Sequence, residues 1–312
     1  MALHSTFRIG GPAEAFLRPA DAESAAALLA AAHAEGIPLF VLGGGANILV
    51  GDRGIKGIVM DCSAMRSIGG PLRGLTPALG SDPGLMSAGS GLAMDELCLE
   101  ALARGLGGLE DFSGMPGTVG GAVYMNARCY EREMSQVLAY VVSADAEGRI
   151  HRRGLESADA PFAREWSYKR SPFQPPRLGE AGSGSAAGEL ILEAAFRLTP
   201  LDDEGAARTA RVMRERRADR EAKGHFRLPS AGSVFKNDRA FGAPTGRLLD
   251  GLGMRGRRIG DAMVSAWHAN IFVNAGAATA ADMRALIELA RSEAREKLGI
   301  ELESEVLMVG EF

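Results

Sequence analysis

Residues 42–50 read Leu-Gly-Gly-Gly-Ala-Asn-Ile-Leu-Val, a glycine turn followed at once by an apolar run. The apolar residues 38–42 predict a strand before the turn, and residues 48–50 predict another after it. Consecutive glycines let backbone N–H groups approach phosphate oxygens with no side chain in between. Because the turn lacks the GxGxxG spacing and leads into a strand rather than a helix, a Rossmann pyrophosphate site is not favoured.

A second glycine cluster, GLGGLEDFSGMPGTVGG, occupies residues 105–121 and runs into an apolar stretch at 122–125. It lacks the GxxxxGK[ST] spacing of a P-loop. Each cluster taken alone is equally well explained as a tight turn. Two clusters in one N-terminal half favour a shared nucleotide-like ligand. They also account for part of the 41 glycines in 312 residues, nearly twice the average usage of about 7%.

The composition is that of a globular protein with about two domains. Hydrophobic residues make up 46% and charged residues 24% of the 312-residue chain, and a domain typically has roughly 150 residues. The net charge of −4 gives no electrostatic reason to expect nucleic acid as a partner.

Cysteine use and hydropathy favour a cytoplasmic location. Cys62, Cys98 and Cys129 are far apart and outside any CxxC spacing, which favours neither a disulfide framework nor a zinc site. No cluster of His, Cys or Asp residues has metal-ligand spacing, so we expect no bound metal. No apolar run approaches the roughly 20 residues that span a bilayer, and the N-terminus lacks a signal-type pattern, so we expect no membrane partner.

Helix signals are clearest at two places in the chain. Residues 22–34 are rich in alanine and leucine, with Asp21 as a candidate N-cap and Gly36 beyond the end. Residues 202–223 are helical in pattern and crowded with arginine. Interleaved acidic residues in that segment favour a solvated helix face over a nucleic-acid patch.

The C-terminal third ends in a predicted helix and strand. Thr279 and Asp282 form a capping-box pattern at the start of the helix, which is predicted to end at Gly299. Residues 301–309 predict the final strand. Earlier in the chain, residues 137–151 predict a β-hairpin.

A short stretch at residues 229–237, PSAGSVFKN, combines a hydroxyl, an ammonium and a carboxamide. In such a loop Ser233 could donate a proton, and Lys236 or Asn237 could bind an anionic substrate. A structural turn explains the same residues. A serine-hydrolase elbow is not favoured, because GxSxG is absent.

Acidic residues alternate along the predicted final strand. Glu301, Glu303 and Glu305 would share one face, where mutual repulsion raises the pKa of at least one carboxyl. Such a group suits acid catalysis, although an exposed edge strand is the simpler explanation.

Taken together, these motifs resemble one family, UDP-N-acetylenolpyruvoylglucosamine reductase, the flavoenzyme that makes the muramic acid precursor of peptidoglycan. The resemblance covers nearly the whole chain, keeps the order of the motifs, and matches the shorter of the family's two subtypes in length. The matching segments are residues 5–13 (STFRIGGPA), 42–50 (LGGGANILV), 113–127 (SGMPGTVGGAVYMNA), 168–173 (YKRSPF), 229–237 (PSAGSVFKN), 264–274 (VSAWHANIFVN) and 302–310 (LESEVLMVG).

The resemblance implies an α+β fold, in which a two-lobed FAD-binding domain of the vanillyl-alcohol-oxidase (PCMH) type precedes a C-terminal α+β substrate-binding domain. We place the domain boundary near Pro200. The Gly-rich segments at residues 69–84 and 178–188 are predicted as loops, and the first separates the two lobes. The predicted domains are residues 1–200, with lobes at about 1–65 and 66–200, and residues 201–312.

The resemblance also implies FAD as the bound cofactor and NADPH as the hydride donor. The two glycine clusters would hold the FAD pyrophosphate and flank the isoalloxazine through backbone donors. The residues expected to bind FAD are Gly43, Gly44, Gly45, Ala46, Asn47, Ile48, Gly114, Pro116, Gly117, Thr118, Gly120, Gly121 and Ala122.

The implied substrate is UDP-N-acetylglucosamine enolpyruvate. Ser233 matches the family's proton donor to C2, and Glu305 matches the acid that assists the enolate. Lys169 occupies the position of the family's enolate-binding arginine, which makes it the third expected catalytic residue. The residues expected to bind the substrate are Tyr168, Lys236, Asn237 and Arg255, the last two at the UDP diphosphate.

The sequence departs from the family pattern at two places. Lys169 keeps the charge of the usual arginine but loses its planar fork, and Arg170 would point to the opposite face of an extended strand. Arg128 and Glu131 stand where the family usually has glycine, which matters if those positions need a positive φ or approach the flavin closely.

The leading prediction is a bacterial, cytoplasmic, NADPH-dependent flavin oxidoreductase of peptidoglycan synthesis, and so of cell wall biogenesis, cell shape and cell division. Two other interpretations stay open. One is an FAD- and UDP-sugar-binding homologue that acts as a sensor or partner protein. The other is a flavin oxidoreductase with a shifted substrate.

Overall fold

The computed structural model describes residues 1–69, 82–155, 161–175 and 186–312. Most of the predicted loops at 69–84 and 178–188 lie outside these residues. The chain forms two compact units. Unit 1 comprises residues 1–15, 45–57 and 218–312, and unit 2 comprises residues 16–44 and 58–217. Parts of the predicted N-terminal domain thus belong to the same unit as the C-terminal third, and the domain boundary near Pro200 stays a prediction.

Helices and short strands alternate along the described chain. The helices are α1 (Ala22–Ala34), α2 (Met94–Ala103), α3 (Val119–Tyr124), α4 (Pro161–Arg164), α5 (Asp203–Ala222), α6 (Thr245–Gly251) and α7 (Ala280–Leu298). The strands are β1 (Ala13–Leu17), β2 (Leu39–Leu42), β3 (Ile48–Val50), β4 (Ile55–Asp61), β5 (Leu85–Gly89), β6 (Leu106–Gly107), β7 (Arg128–Cys129), β8 (Arg132–Glu133), β9 (Leu138–Ala144), β10 (Ile150–Gly154), β11 (Leu190–Arg197), β12 (Thr199–Pro200), β13 (Ser230–Ser233), β14 (Arg258–Ile259), β15 (Ala262–Val264), β16 (Ile271–Asn274) and β17 (Leu307–Val309).

Unit 2 is built around an antiparallel sheet of strand order β10-β9-β11-β5. β9 is buried along its whole length, because apolar clusters cover both faces of the sheet. One cluster includes side chains of α2 and α3, and the other includes the alanines of α1. The predicted hairpin is present, since β9 and β10 pair Ala144 with Ile150.

Helix α1 begins and ends as its sequence predicts. The Asp21 side chain accepts a hydrogen bond from the Ser24 amide at 2.8 Å, which satisfies one of the unpaired N–H groups of the first turn. After the helix, β2 pairs in parallel with β4, and Leu39 lies beside Ile58. The glycine turn therefore starts at the end of a paired strand.

Unit 1 contains an antiparallel sheet of order β13-β16-β15-β14, covered by α7. The capping box of α7 is present, because Thr279 accepts from the Asp282 amide and Asp282 accepts from the Thr279 amide. Gly299 ends the helix with φ of +68°, a left-handed conformation that glycine adopts without steric cost. Phe235 and Phe272 meet edge to face at 6.0 Å in the core below the sheet.

The predicted strand at residues 301–309 is wrong in length. Only Leu307–Val309 forms a strand, β17, which pairs in parallel with β3. The three alternating glutamates therefore do not crowd on one strand face. Glu301 forms an ion pair with Arg295, which lowers the pKa of Glu301, the opposite of the expected repulsion.

The arginines of α5 take part in ion pairs within unit 2. Arg216 lies 2.9 Å from Asp111, and Arg217 lies 2.8 Å from Asp95. Acidic partners thus offset part of the positive charge of this helix. No helix within the described ranges combines the length and the apolarity needed to cross a membrane.

Glu193 is a fully buried carboxyl in β11. Its relative exposure is 0%, and neither carboxylate oxygen has a hydrogen-bond partner among the described residues. Burial without a partner penalises the charged form and raises the pKa of Glu193 to about 7. β11 is irregular at this point, since its register against β9 shifts between Ile191 and Glu193.

Replacing Glu193 with glutamine should remove a pH-dependent loss of stability. The native carboxyl keeps its proton up to about pH 7, whereas the unfolded one ionises near 4.5. The unfolded state binds fewer protons between these values, so the free energy of unfolding falls as pH rises, by about 3 kcal/mol. Urea unfolding at about pH 5 and about pH 8 measures this loss.

We expect Glu193→Gln to lose about 3 kcal/mol less than the wild type between those two pH values. Glu35→Gln, at an exposed position after α1, serves as the control and should behave like the wild type. An unchanged pH dependence in Glu193→Gln would show that the carboxyl is already ionised in the native protein.

Candidate active site

The two glycine turns meet within unit 2. A Cβ atom added to Gly44 would lie 2.7 Å from the Cα atom of Gly117, and one added to Gly43 would lie 2.6 Å from the Thr118 hydroxyl. The Gly44 contact is with backbone atoms, so a side chain at this position would require the backbone itself to move. The absence of side chains is therefore what allows the turn after β2 to pack against the turn before α3.

In unit 1, the same turn continues into β3. Gly45 has φ of +60°, and a Cβ there would lie 2.1 Å from the His4 carbonyl oxygen. The Thr6 amide donates to the Gly45 carbonyl at 3.0 Å. Within the described part of the chain, the amides of residues 45–47 donate to no backbone carbonyl. These N–H groups remain available to an anionic ligand.

Hydrogen bonds to its neighbours fix the second turn. The Gly114 amide donates to the Asp95 carboxylate at 2.6 Å, and the Gly120 amide donates to the Ser90 carbonyl at 2.8 Å. The Thr118 hydroxyl is buried and has no hydrogen-bond partner among the described residues. A buried, unpaired hydroxyl beside two glycines is the feature expected where a polar ligand completes the site.

In unit 1, the backbone segments that carry Ser233 and Glu305, the predicted acid pair, are hydrogen-bonded to each other. The Glu305 amide donates to the Val234 carbonyl at 2.7 Å, directly after Ser233. The Lys236 amide donates to the Glu303 carbonyl at 2.9 Å. Residues 233–236 and 303–305 therefore run side by side as a backbone ladder.

Asn47, from the first glycine turn, is hydrogen-bonded to the same ladder. Its side-chain amide donates to the Glu305 carbonyl at 3.0 Å, and the Leu307 amide donates to the Asn47 carbonyl at 3.0 Å. Ile48 follows in β3 and pairs with Leu307. Unit 1 thus brings predicted FAD-binding residues next to the predicted acid Glu305.

Lys236 and Asn237 are each engaged by a neighbour. The Lys236 ammonium lies 2.8 Å from the Glu303 carboxylate, and its side chain is only 14% exposed. The Asn237 side chain accepts from the Thr245 amide at 2.9 Å, at the start of α6. Asn237 therefore holds the loop after β13 against the following helix.

Arg255 follows the C-terminal end of α6, and its side chain is half exposed. It forms an ion pair with Asp250, Nε to carboxylate, at 2.6 Å. The nearby His268 accepts a hydrogen bond from the Asn270 amide at 3.2 Å. Burial lowers the pKa of His268, with a further contribution from the positive charge of Lys223.

Tyr168 and Lys169 form a tight turn, which corrects the expectation of an extended strand here. The Ser167 amide donates to the Arg170 carbonyl at 3.1 Å, and the Arg170 amide donates to the Ser167 carbonyl at 2.9 Å. Lys169 has φ of +58°. Side chains alternate between two faces only along an extended strand. Tyr168 and Lys169 form the tip of a two-residue loop, so the orientation expected for Arg170 does not apply. The Arg170 guanidinium donates to the Pro175 carbonyl at 3.2 Å.

The backbone at Arg128 and Glu131 does not require glycine. Positive φ values fall at the neighbouring residues Asn126 (+39°) and Tyr130 (+54°), and at neither Arg128 nor Glu131. Asparagine tolerates this conformation better than most residues. The charged side chains at 128 and 131 are therefore accommodated without backbone strain.

Sequence reasoning missed several residues that hold this region. Asn126 donates to the Ser167 carbonyl at 2.8 Å, and Gln174 donates to the Tyr124 carbonyl at 2.7 Å. A signal for Asn126 was present, since it lies inside the family-like segment 113–127. Gln174 lies one residue beyond the matching segment 168–173, so no pattern identified it.

Comparison with known proteins identifies the family. Residues 224–309 match the description "UDP-N-acetylenolpyruvoylglucosamine reductase, C-terminal domain", and residues 13–154 match "FAD binding domain". A UDP-N-acetylenolpyruvoylglucosamine reductase of Treponema pallidum is 39% identical over 100% of this chain and 92% of its own length. The chain belongs to the UDP-N-acetylenolpyruvoylglucosamine reductase family.

Other members of the family agree with this assignment. The reductase of Rubrobacter xylanophilus is 38% identical over 99% of this chain and 93% of its own. The crystal structure of the reductase (MurB) of Thermus caldophilus has a TM-score of 0.74 and 29% identity, covering 99% of this chain and 96% of that one. The α+β fold and the family that the sequence motifs predicted are both confirmed.

The glycine turns fit FAD, the cofactor of this family's first domain. At Gly44 and Gly117 no side chain separates the two backbones, and glycine lets backbone N–H groups approach a pyrophosphate. The unpaired Thr118 hydroxyl adds a buried donor in unit 2. We assign the FAD site to the predicted residues of these turns as a proposal.

Substitution of Gly44 by alanine should weaken the binding of FAD. The added carbon would lie 2.7 Å from the Gly117 Cα atom, so the turns must separate. Overpacking of this kind costs about 1–3 kcal/mol, and we expect FAD affinity to fall about tenfold or more. Gly154→Ala in β10 is the control, because a Cβ there meets nothing within 4 Å. Flavin absorbance of the purified proteins measures occupancy, and full occupancy in Gly44→Ala would contradict the assignment.

Proposed function

We propose that this protein reduces UDP-N-acetylglucosamine enolpyruvate to UDP-N-acetylmuramate, with NADPH as the hydride donor, in the synthesis of peptidoglycan precursors. The observation that carries the proposal is the backbone ladder between residues 233–236 and 303–305, in which the Glu305 amide lies 2.7 Å from the carbonyl of Val234, the residue after Ser233. The reaction needs a proton donor and a second acid near one carbon, and these two side chains supply them.

FAD held by the glycine turns would supply hydride, taken from NADPH, to C3 of the enol ether. Negative charge then develops on C2 and on the substrate carboxylate. Ser233 donates the proton to C2, which completes the reduction of the carbon–carbon double bond. The Glu305 carboxyl assists by hydrogen bonding to the enolate, where preorganised donors are most effective.

Polar and positively charged side chains bind the two anionic ends of the substrate. We assign the substrate carboxylate to Tyr168 and Lys169, and lysine provides the positive charge that the family's arginine usually supplies. We assign the UDP diphosphate to Asn237 and Arg255, with Lys236 as a further cation. The ion pair between Lys236 and Glu303 holds that ammonium at the loop where we place the substrate.

We place the reaction in the bacterial cytoplasm. NADPH and UDP-activated sugars are cytoplasmic molecules, so an enzyme that uses both must meet them there. The three cysteines Cys62, Cys98 and Cys129 are buried and form no disulfide with one another, which suits a reducing compartment.

Ser233→Ala should separate the two half-reactions. It removes only the proton donor, so flavin reduction by NADPH should be nearly unchanged. Reoxidation by the UDP-enolpyruvyl sugar should slow by about 10²–10⁴-fold, the usual contribution of general acid catalysis. Anaerobic stopped-flow absorbance of the flavin measures both rates.

Ser230→Ala, at the start of the same strand, is the matched control and should retain both rates. An equal loss of both half-reactions in Ser233→Ala would contradict its role as proton donor. Unimpaired reoxidation in that variant would assign the proton to another group.

A further inference from the structure

Arg128 lies at the start of a short hairpin in unit 2. β7 and β8 pair Arg128 with Glu133. The guanidinium of Arg216 lies over the Tyr130 ring at 3.8 Å, and the Tyr130 hydroxyl donates to the Arg216 carbonyl at 3.3 Å. The hairpin is therefore anchored on α5 through its loop.

The Arg128 guanidinium is held between two carboxylates and an aromatic ring. Nη2 lies 2.6 Å from the Glu131 carboxylate, and Nη1 lies 3.6 Å from that of Glu133. Cζ lies 5.5 Å from the centroid of the Tyr168 ring, within the range of a cation–π interaction. The side chain is only 23% exposed.

The charge around Arg128 argues against direct binding of substrate. Two carboxylates surround one guanidinium, so the cluster as a whole does not attract an anion. The two carboxylates do not prevent the contact between Arg128 and Tyr168, because the Tyr168 ring is neutral. Arg128 is therefore placed to act on the Tyr168 side chain and not on the substrate itself.

The turn at Tyr168 and Lys169, which Arg128 contacts, has a disfavoured backbone conformation. Lys169 has φ of +58°, a region disfavoured for a residue with a Cβ atom. Asn126 donates to the carbonyl that precedes Tyr168 at 2.8 Å, and Gln174 donates to the Lys169 carbonyl at 3.3 Å. These bonds fix the backbone on both sides of the turn, and Arg128 contacts the Tyr168 side chain.

We propose that Arg128 is a positioning residue, which fixes the Tyr168 ring and thereby the direction in which the turn presents Lys169. The inference rests on the proposed function, in which Tyr168 and Lys169 bind the substrate carboxylate. Glycine, the usual residue of the family at this position, has no side chain that could make the contact.

A double-mutant cycle on substrate affinity tests the inference. Arg128→Met removes the guanidinium but keeps an unbranched stem, Tyr168→Leu removes the ring, and the third variant combines both changes. Arg132→Met removes a neighbouring arginine from the same hairpin and is the matched control. The Kd of the UDP-enolpyruvyl sugar is measured from the change in flavin absorbance, and flavin reduction by NADPH is measured separately.

We expect Arg128→Met to raise the Kd about tenfold, a size that a cation–π contact supports. Flavin reduction by NADPH should not change, whereas a merely structural defect would affect it as well. In the Tyr168→Leu background, Arg128→Met should have no further effect on Kd. Arg128→Lys keeps the charge but not the flat face, so it should recover only part of the affinity.

Tyr168→Phe is a second background, which separates the loss of the ring from a folding defect in Tyr168→Leu. It keeps the ring, so Arg128→Met should show its full effect on Kd in this background. Equal fold-changes in the wild-type and Tyr168→Leu backgrounds, or a Kd in Arg128→Met equal to that of Arg132→Met, would overturn the inference.

The same measurements distinguish failure of this inference from failure of the proposed function. Because Kd is measured without turnover, a wild-type protein that binds the sugar but is not reoxidised by it contradicts the reaction alone. A wild-type protein that does not bind the sugar contradicts both.

Discussion

The close approach of two glycine turns is the constraint on which the cofactor site depends. A Cβ at Gly44 would lie 2.7 Å from the Gly117 Cα atom, so only residues without side chains let the turns meet. In the FAD site that we propose, two such turns would offer backbone donors to the pyrophosphate, with no need for a GxGxxG sequence at a helix start. This accounts for an FAD-binding chain that has excess glycine but no Rossmann signature.

The proposed chemistry depends on a second backbone constraint, within unit 1. Ser233 and Glu305 are distant in sequence, and the hydrogen bond from the Glu305 amide to the Val234 carbonyl makes them neighbours. Main-chain groups form this bond, so replacing either side chain leaves the framework in place. The site can therefore be tested by side-chain substitution without dismantling the unit that holds it.

Much of the fold could be predicted because its signals are local. Asp21, Thr279 and Gly299 cap helices through contacts within one turn, and the structure has these caps. The errors arose where distant residues decide the outcome. The segment before β17 forms only an isolated bridge, between Ser304 and Phe235, and Glu301 pairs with Arg295. The turn at Lys169 is held by Asn126 and Gln174, which no period or propensity in the segment itself encodes.

We propose that the glycine turns and the Ser233–Glu305 ladder serve one reductase reaction. An anaerobic titration of the purified protein with NADPH and then with UDP-N-acetylglucosamine enolpyruvate tests it most directly. We expect NADPH to bleach the flavin absorbance, and the sugar to restore it mole for mole while UDP-N-acetylmuramate forms. A flavin that NADPH reduces and the sugar leaves reduced would rule out this reaction.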